Sequence, residues 1–174
     1  MLVPSTIFEY VGLKQGAVVA DLGCGATGLF TISAARLVGN MGQVYAVDVL
    51  KSVLEEVSKR SRLEGVNNVK TVWSNIEIFG ATKIKKESLD LGMLVNVLFQ
   101  SKEHENIMKE AARLLKKDAR LLVIDWKPSY VPFGPPVIDR VSPDEVKAIA
   151  KKAGLSLVDE FKAGNFHFGL IFKK

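Results

Sequence analysis

The stretch 18–30, VVADLGCGATGLF, constrains this chain more than any other. An apolar run ends in an acid, and Gly23, Gly25 and Gly28 then open into Leu29 and Phe30. Small residues at those points let a strand turn sharply into a helix and let a ligand lie against bare backbone. The spacing Gly-x-Gly-x-x-Gly also fits the fingerprint of nucleotide-bearing cofactors, so the turn poses the question of which one it holds.

Downstream, short apolar runs alternate with helical periodicity, which predicts a parallel sheet covered on both faces. Strands are expected at 17–22, 43–48, 69–73, 89–97 and 119–126. Helices are expected at 29–38, on Leu50, Val53, Leu54 and Val57 up to Gly65, and on the stripe Ile107, Met108, Ala111, Leu114 and Leu115. Ser142-Pro143-Asp144-Glu145 is a capping box with proline at the first helical position, and its helix should stop near Ala153. LSLVDEF and FHFGLIF follow, joined by Lys162-Ala163-Gly164-Asn165, a connection short enough to force antiparallel pairing. The expected fold is α/β: a Rossmann-like, doubly wound, mostly parallel seven-stranded sheet ending in an antiparallel hairpin.

At 174 residues the chain reads as one domain over 1–174, with 1–16 as a helical cover and 127–141 as a candidate substrate lid. Phe8, Val11 and Leu13 of that cover are placed over the cofactor. No apolar run approaches the roughly 20 residues of a membrane span, and MLVPSTIFEY lacks a signal-peptide pattern, so a cytoplasmic location is expected. The single cysteine, Cys24, excludes an intramolecular disulfide and a cysteine-built metal site; it reads as a small buried residue rather than a nucleophile, and no metal is expected. A net charge of +5 raises nucleic acid as a partner. The lysine pairs at 85–86, 116–117, 151–152 and 173–174 fall near element ends, where cations suit helix C-termini and solvent. Nucleic acid is therefore possible but not favoured over a small-molecule substrate, with a monomer or homodimer as the assembly.

Asp48 ends the second strand about 20 residues past Gly28, where a carboxylate can accept both hydroxyls of a ribose. That suits NAD and S-adenosylmethionine equally. Asp21 separates them, since it ends the first strand beside the turn and should face the same crevice. Like charges 4 Å apart cost on the order of 4 kcal/mol at an effective dielectric of about 20, so a pyrophosphate is unwelcome there. A sulfonium and an ammonium are attracted by the same acid.

These residues resemble a known family. LKQGAVVADLGCGATG resembles motif I of class I S-adenosylmethionine-dependent methyltransferases, and GNMGQVYAVD their second motif. KTVWSNIEIF is similar to the third, and DLGMLVNVLFQ with MKEAARLLKKDARLLVIDW to the fourth and fifth. The resemblance runs from about residue 7 to the end and lies nearest the small stand-alone methylases of the ubiquinone/menaquinone C-methyltransferase type. It implies S-adenosylmethionine as cofactor. Gly23, Cys24 and Gly25 would run along its methionine moiety, Asp21 would lie near its ammonium, and Asp48 would bind the ribose. Val49 and Leu50 would pack on the adenine, Asn75 and Ile76 would meet its edge, and Asn96 would stand at the rim. Asn75 replaces the family's common aspartate, and Lys117-Asp118-Ala119 replaces a glycine pair before the fifth strand.

Methyl transfer needs in-line positioning of an acceptor and a base only where a proton must leave. No fixed triad is evident, and no catalytic residue is assigned. Acceptor contacts are expected from Phe99, Trp126 and Lys127 at strand ends and from Tyr130, Phe133 and Arg140 in KPSYVPFGPPVIDR. His104 is expected to be solvent-exposed and His167 to be structural. RNA or protein methylation, an NAD(P)-dependent oxidoreductase and a cofactor-binding protein without transfer are the alternatives.

Overall fold

The structure, a computed structural model, describes residues 2–129, 131 and 133–174. The elements run α1 (Pro4–Val11), β1 (Val18–Leu22), α2 (Leu29–Val38), β2 (Gln43–Asp48), α3 (Lys51–Leu63), β3 (Val69–Trp73) and β4 (Leu89–Val95). They continue with α4 (His104–Leu114), β5 (Leu115–Trp126), α5 (Pro143–Lys152), β6 (Ser156–Lys162) and β7 (His167–Lys173). The seven strands form one sheet in the order β3-β2-β1-β4-β5-β7-β6. β1 to β5 pair in parallel, and β7 inserts antiparallel to both β5 and β6. The connectivity reverses between β1 and β4, the position at which open sheets of this kind bind ligands.

Alternation along the strands divides the core in two. Leu94, Leu121, Val123 and Phe172 face Ile107 and Met108 of α4 and Val146 of α5. Met93, Leu122 and Ile124 face Phe30 and Ile32 of α2 and Phe8 of α1. The Ser142 hydroxyl accepts a hydrogen bond from Glu145 N at 3.2 Å, so the capping box starts α5 as its sequence requires.

Three expectations change. Phe8 and Val11 are core residues, 0% and 2% exposed, and Phe8 meets Phe30 edge-on at 5.8 Å. Their burial against the sheet leaves them nothing to cover at the ligand edge. β4 stops at Val95 because Asn96 takes a left-handed φ of +57°, which no strand continues. β5 begins at Leu115, which pairs with Leu89 and so belongs to the strand and not to the helical stripe. Arg120 pairs with Leu91, so residues 116–119 are thrown out as a bulge, with Asp118 at φ +66°.

Candidate functional site

The carboxyl ends of β1, β2 and β4 frame a crevice. Its floor is the turn after β1, tied to β2 by Gly23 N and Cys24 N, which donate to Val47 O at 2.8 and 3.0 Å. Gly23 sits at φ +87°, and a Cβ there would stand 2.7 Å from Val97 Cγ2. Gly25, at φ +63°, has no heavy atom within 4 Å of its would-be Cβ and turns bare backbone to the opening. On one side of the turn a cavity of about 490 Å³ is lined by Asp48, Val49, Leu50, Asn75 and Ile76. On the other side a cavity of about 260 Å³ is lined by Asp21, Cys24, Asn96 and Leu2, and both share Gly23, Gly25 and Gln100. All ten expected cofactor residues thus line cavities around one turn, and of the N-terminal segment Leu2, not Phe8, is the residue that lines them.

The polar groups are set by their neighbours. Asp48 Oδ1 accepts from Leu50 N at 3.0 Å and Oδ2 from Gly25 N at 3.3 Å, which holds the carboxylate across the crevice. Asp21 is 2% exposed, and its Oδ2 accepts from Thr31 Oγ1 at 2.6 Å. Burial pushes its carboxyl up to about 6, against the lowering effect of the Thr31 hydrogen bonds. Burial also raises the Cys24 thiol, helped by the charges of Asp21 and Asp48, so it is no thiolate nucleophile. Asn75 Oδ1 accepts from Glu77 N at 2.9 Å. One lone pair of Oδ1 and the side-chain NH₂ are left to meet a ligand. Asn96 N donates to Ile124 O at 2.8 Å, while its buried Oδ1 has no partner.

Several supporting residues lay beyond sequence reasoning. The segment after β4, which presents Val97 and Gln100 to the crevice, is held by Asp125 at the end of β5. Asp125 is fully buried; Oδ2 accepts from Leu98 N and Phe99 N at 2.9 and 3.4 Å, and Oδ1 from Trp126 N at 2.8 Å. Burial brings its carboxyl to about 6 despite those bonds. His104 is partly buried, contrary to expectation, because its Nε2 lies 2.9 Å from Leu98 O and its Nδ1 3.2 Å from Glu145 Oε1. The long β3–β4 connection hangs on Glu110, which accepts from Gly80 N at 2.7 Å, Thr82 N at 3.0 Å and the Arg113 guanidinium at 2.8 Å. Burial alone would raise the Glu110 carboxyl, but these donors outweigh it and bring it to about 2. An acid inside the apolar run LLVIDW was the available signal for Asp125; Thr31 and Glu110 carried none.

The expected acceptor residues form a second group, one and two strands further along the same edge. Trp126 stands 4.3 Å from the His167 ring and 6.3 Å from Phe133, which itself meets Phe166 at 4.6 Å. Arg140 donates to the carbonyls of Lys127, Ser129 and Pro135 at 3.0, 2.6 and 2.7 Å, and its guanidinium lies 5.5 Å from the Trp126 ring. Its donors are thus spent on binding the 127–140 loop to itself. Lys127 Nζ donates to Asn165 O at 3.0 Å, and Phe99 points its amide at Asp125 between the two groups. Tyr130 lies outside the described residues. Burial lowers His167 to about 4, assisted by the charges of Lys127 and Arg140, so its ring is neutral near pH 7; its buried Nε2 has no partner.

Comparison with known proteins agrees with this geometry. A family model described as a methyltransferase domain matches residues 13–165. The ubiquinone/menaquinone biosynthesis C-methyltransferase of Erwinia tasmaniensis is 33% identical over 124 residues, 70% of this chain and 48% of that protein. The chain thus spans about half the length of the curated relatives it matches. A crystal structure of an S-adenosylmethionine-dependent methyltransferase from Aquifex aeolicus superposes with a TM-score of 0.90 at 26% identity, covering 99% of this chain and 89% of that one. A type 11 methyltransferase structure from Sulfolobus solfataricus, described as putative in its name, superposes at 0.78 with 23% identity, covering 99% and 92%, which speaks to the fold alone. The chain belongs to the methyltransferase-domain family, in its class I S-adenosylmethionine-dependent branch, and S-adenosylmethionine is the cofactor that membership brings.

Proposed function

We propose that this chain moves the methyl group of S-adenosylmethionine to a small or medium organic acceptor. The observation that carries the reading is the pair of acids at the glycine turn, Asp21 beneath it and Asp48 bonded across Gly25, with the unpartnered Asn96 Oδ1 on the same wall. Two carboxylates and a bare carbonyl oxygen repel a diphosphate and attract an ammonium or sulfonium. Asp48 would take the ribose, Val49, Leu50 and Ile76 the adenine faces, and the Asn75 NH₂ the adenine edge. Asp21 and Asn96 would serve the amino-acid end, along the backbone of Gly23, Cys24 and Gly25.

When bound, the cofactor supplies a methyl group on a sulfonium that leaves as a neutral thioether. The chain's share is to orient the acceptor and exclude water, and positioning of this kind is worth up to about 7–11 kcal/mol in ideal cases. Trp126, Phe133 and His167 offer a mostly aromatic wall suited to a planar acceptor. The C-methyltransferase names of the relatives make an electron-rich ring carbon the first acceptor to try. Neither buried titratable group there is arranged as a base: Asp125 spends both oxygens on backbone N–H groups, and a neutral His167 serves as a hydrogen-bonding partner. Arg140 fastens Lys127, Ser129 and Pro135 to one another, and these residues would border the acceptor.

Calorimetric titration with S-adenosylhomocysteine and with NAD, side by side, tests the cofactor. Micromolar binding of the first with none of the second is expected; binding of NAD alone would overturn the reading.

A further inference from the structure

The sheet's other edge, where β1, β4 and β5 begin and β7 ends, has no part in the chemistry above. Three of the four lysine pairs converge there. Lys85 and Lys86 precede β4, Lys116 and Lys117 occupy the bulge that opens β5, and Lys173 and Lys174 close β7. The register makes them neighbours: Asp118 N donates to Lys174 O at 2.9 Å, Lys174 N to Ala119 O at 3.0 Å, and Lys174 Nζ to Leu115 O at 2.8 Å. Lys14 and Arg120 line a hollow of about 350 Å³ beside them.

Three acids answer these eight cations: Asp90 pairs with Lys116 at 2.7 Å, Asp118 with Lys173 at 2.7 Å, and Glu87 with Lys174 at 3.4 Å. Among the described residues Lys14, Lys85, Lys86, Lys117 and Arg120 have no acidic partner within 4.0 Å. The excess at this one edge therefore equals the formal net charge of +5 carried by the whole chain. Apolar side chains flank it in the open. Met41, 90% exposed, lies against Gly16 at the β1 side, and Leu157 and Val158, 45% and 50% exposed, stand beside the β7 side, where Leu157 pairs with Phe172.

We propose that this edge docks on an anionic lipid surface. Clustered lysines bring a protein to a negatively charged leaflet, and exposed aliphatic side chains at the rim of the cluster enter the headgroup boundary. A nucleic acid would be served by the lysines alone and would favour aromatic platforms, whereas the exposed flanking groups here are Met41, Leu157 and Val158. Docking in this pose turns the cofactor crevice, at the opposite ends of the same strands, toward the aqueous phase.

Vesicle co-sedimentation of the full chain tests this, with phosphatidylcholine alone against phosphatidylcholine carrying about a third phosphatidylglycerol. Binding is expected only to the anionic vesicles, and it should fall away at high salt. Substituting the unpaired lysines together, Lys85→Gln, Lys86→Gln and Lys117→Gln, should weaken partitioning by roughly 100-fold, at about fivefold for each basic residue near the surface. Met41→Ser with Leu157→Ser leaves the charge unchanged and should still weaken it. Affinity for S-adenosylhomocysteine, read on the same variants, should stay constant and certifies folding. Equal binding to both vesicle types, or binding to neither, overturns the proposal. So does tighter binding to duplex DNA or RNA that the two serine substitutions leave untouched, which would assign the edge to nucleic acid.

Discussion

Replacing Asp21 by Asn tests the electrostatics of the crevice most directly. The carboxyl is buried under the glycine turn, and that burial raises it from the ordinary value of 3.8 to about 6. In the free protein at pH 5 only about a tenth of it is ionised, while at pH 7 about nine tenths is. A cationic ligand beside it favours the ionised form, so binding at pH 5 must release a proton. Affinity for S-adenosylhomocysteine, which keeps its ammonium throughout this range, should therefore be about tenfold lower at pH 5 than at pH 7 and level off above pH 7. Asp21→Asn should remove that slope and lower affinity at pH 7 by about 1.5–3 kcal/mol, the value of a hydrogen bond to a charged group. Stability moves in the other direction. An acid raised in the folded state burdens the fold as pH climbs through about 4 to 6, by on the order of 3 kcal/mol at neutrality, so the variant should be the more stable protein above pH 6. Calorimetry in two buffers of different ionisation enthalpy counts the protons, and urea denaturation gives the stability. A wild-type affinity that stays flat from pH 5 to 8, or a variant that binds as well as wild type, refutes the reasoning.

Two further outcomes follow from the supports of the crevice. Glu110→Gln removes a buried charge that Arg113, Gly80 and Thr82 all address, and should cost about 3–5 kcal/mol in urea denaturation near pH 7. Because the folded carboxyl is lowered to about 2, the stability it supplies is present above its ordinary value of 4.5 and disappears as pH falls toward 2; the gap between wild type and variant should close over that interval. Gly23→Ala places a Cβ 2.7 Å from Val97 Cγ2 at a φ of +87°, and the two penalties together should cost on the order of 2–4 kcal/mol. Adding Val97→Ala should restore the steric share, about 1–2 kcal/mol, and leave the backbone share in place. Gly23→Ala within 0.5 kcal/mol of wild type, by the same denaturation, would refute a tight turn at Gly23.

The strand–turn–helix at 18–30 was legible because its signals are local: apolar runs, glycines at positive φ, an acid at a strand end. The same holds for the helix at 29–38 and the strands at 43–48 and 69–73, which match the structure residue for residue. The errors lie where a distant pairing decides. Nothing in LKKDAR says that Leu115 will pair with Leu89 and Arg120 with Leu91, yet that register draws Leu115 out of the helical stripe and turns Lys117 and Asp118 outward while Ala119 stays in the core. Phe8 suits a cofactor cover as well as a core in one dimension, and only the proximity of Phe30 distinguishes them. Asp48 and Gly25 were readable from spacing; Thr31 under Asp21 was not, because a hydroxyl in the first turn of a helix, ten residues on in sequence, carries no pattern of its own.

The charge distribution shows the same division at larger scale, and it corrects the expectation about lysines. Of the four pairs, only Lys151–Lys152 lies in the last turn of a helix, where the macrodipole favours a cation. The other three belong to strand termini and converge through topology alone. Parallel strands align all their carboxyl ends, so Asp21 and Asp48 necessarily share one edge, and whatever precedes each strand necessarily shares the other. β7 runs the opposite way, and its C-terminal lysines therefore join the residues that precede β4 and β5 instead of approaching the crevice. A molecule with acids at one edge of its sheet and unpaired lysines at the other has two differently charged faces about one strand length apart. The acidic face suits a small cationic guest, and the basic face an extended anionic surface. An RNA substrate would require both at the same mouth; here the parallel strands place the unpaired cations at their starts and the acids at their carboxyl ends, and both β7 lysines are already paired with acids.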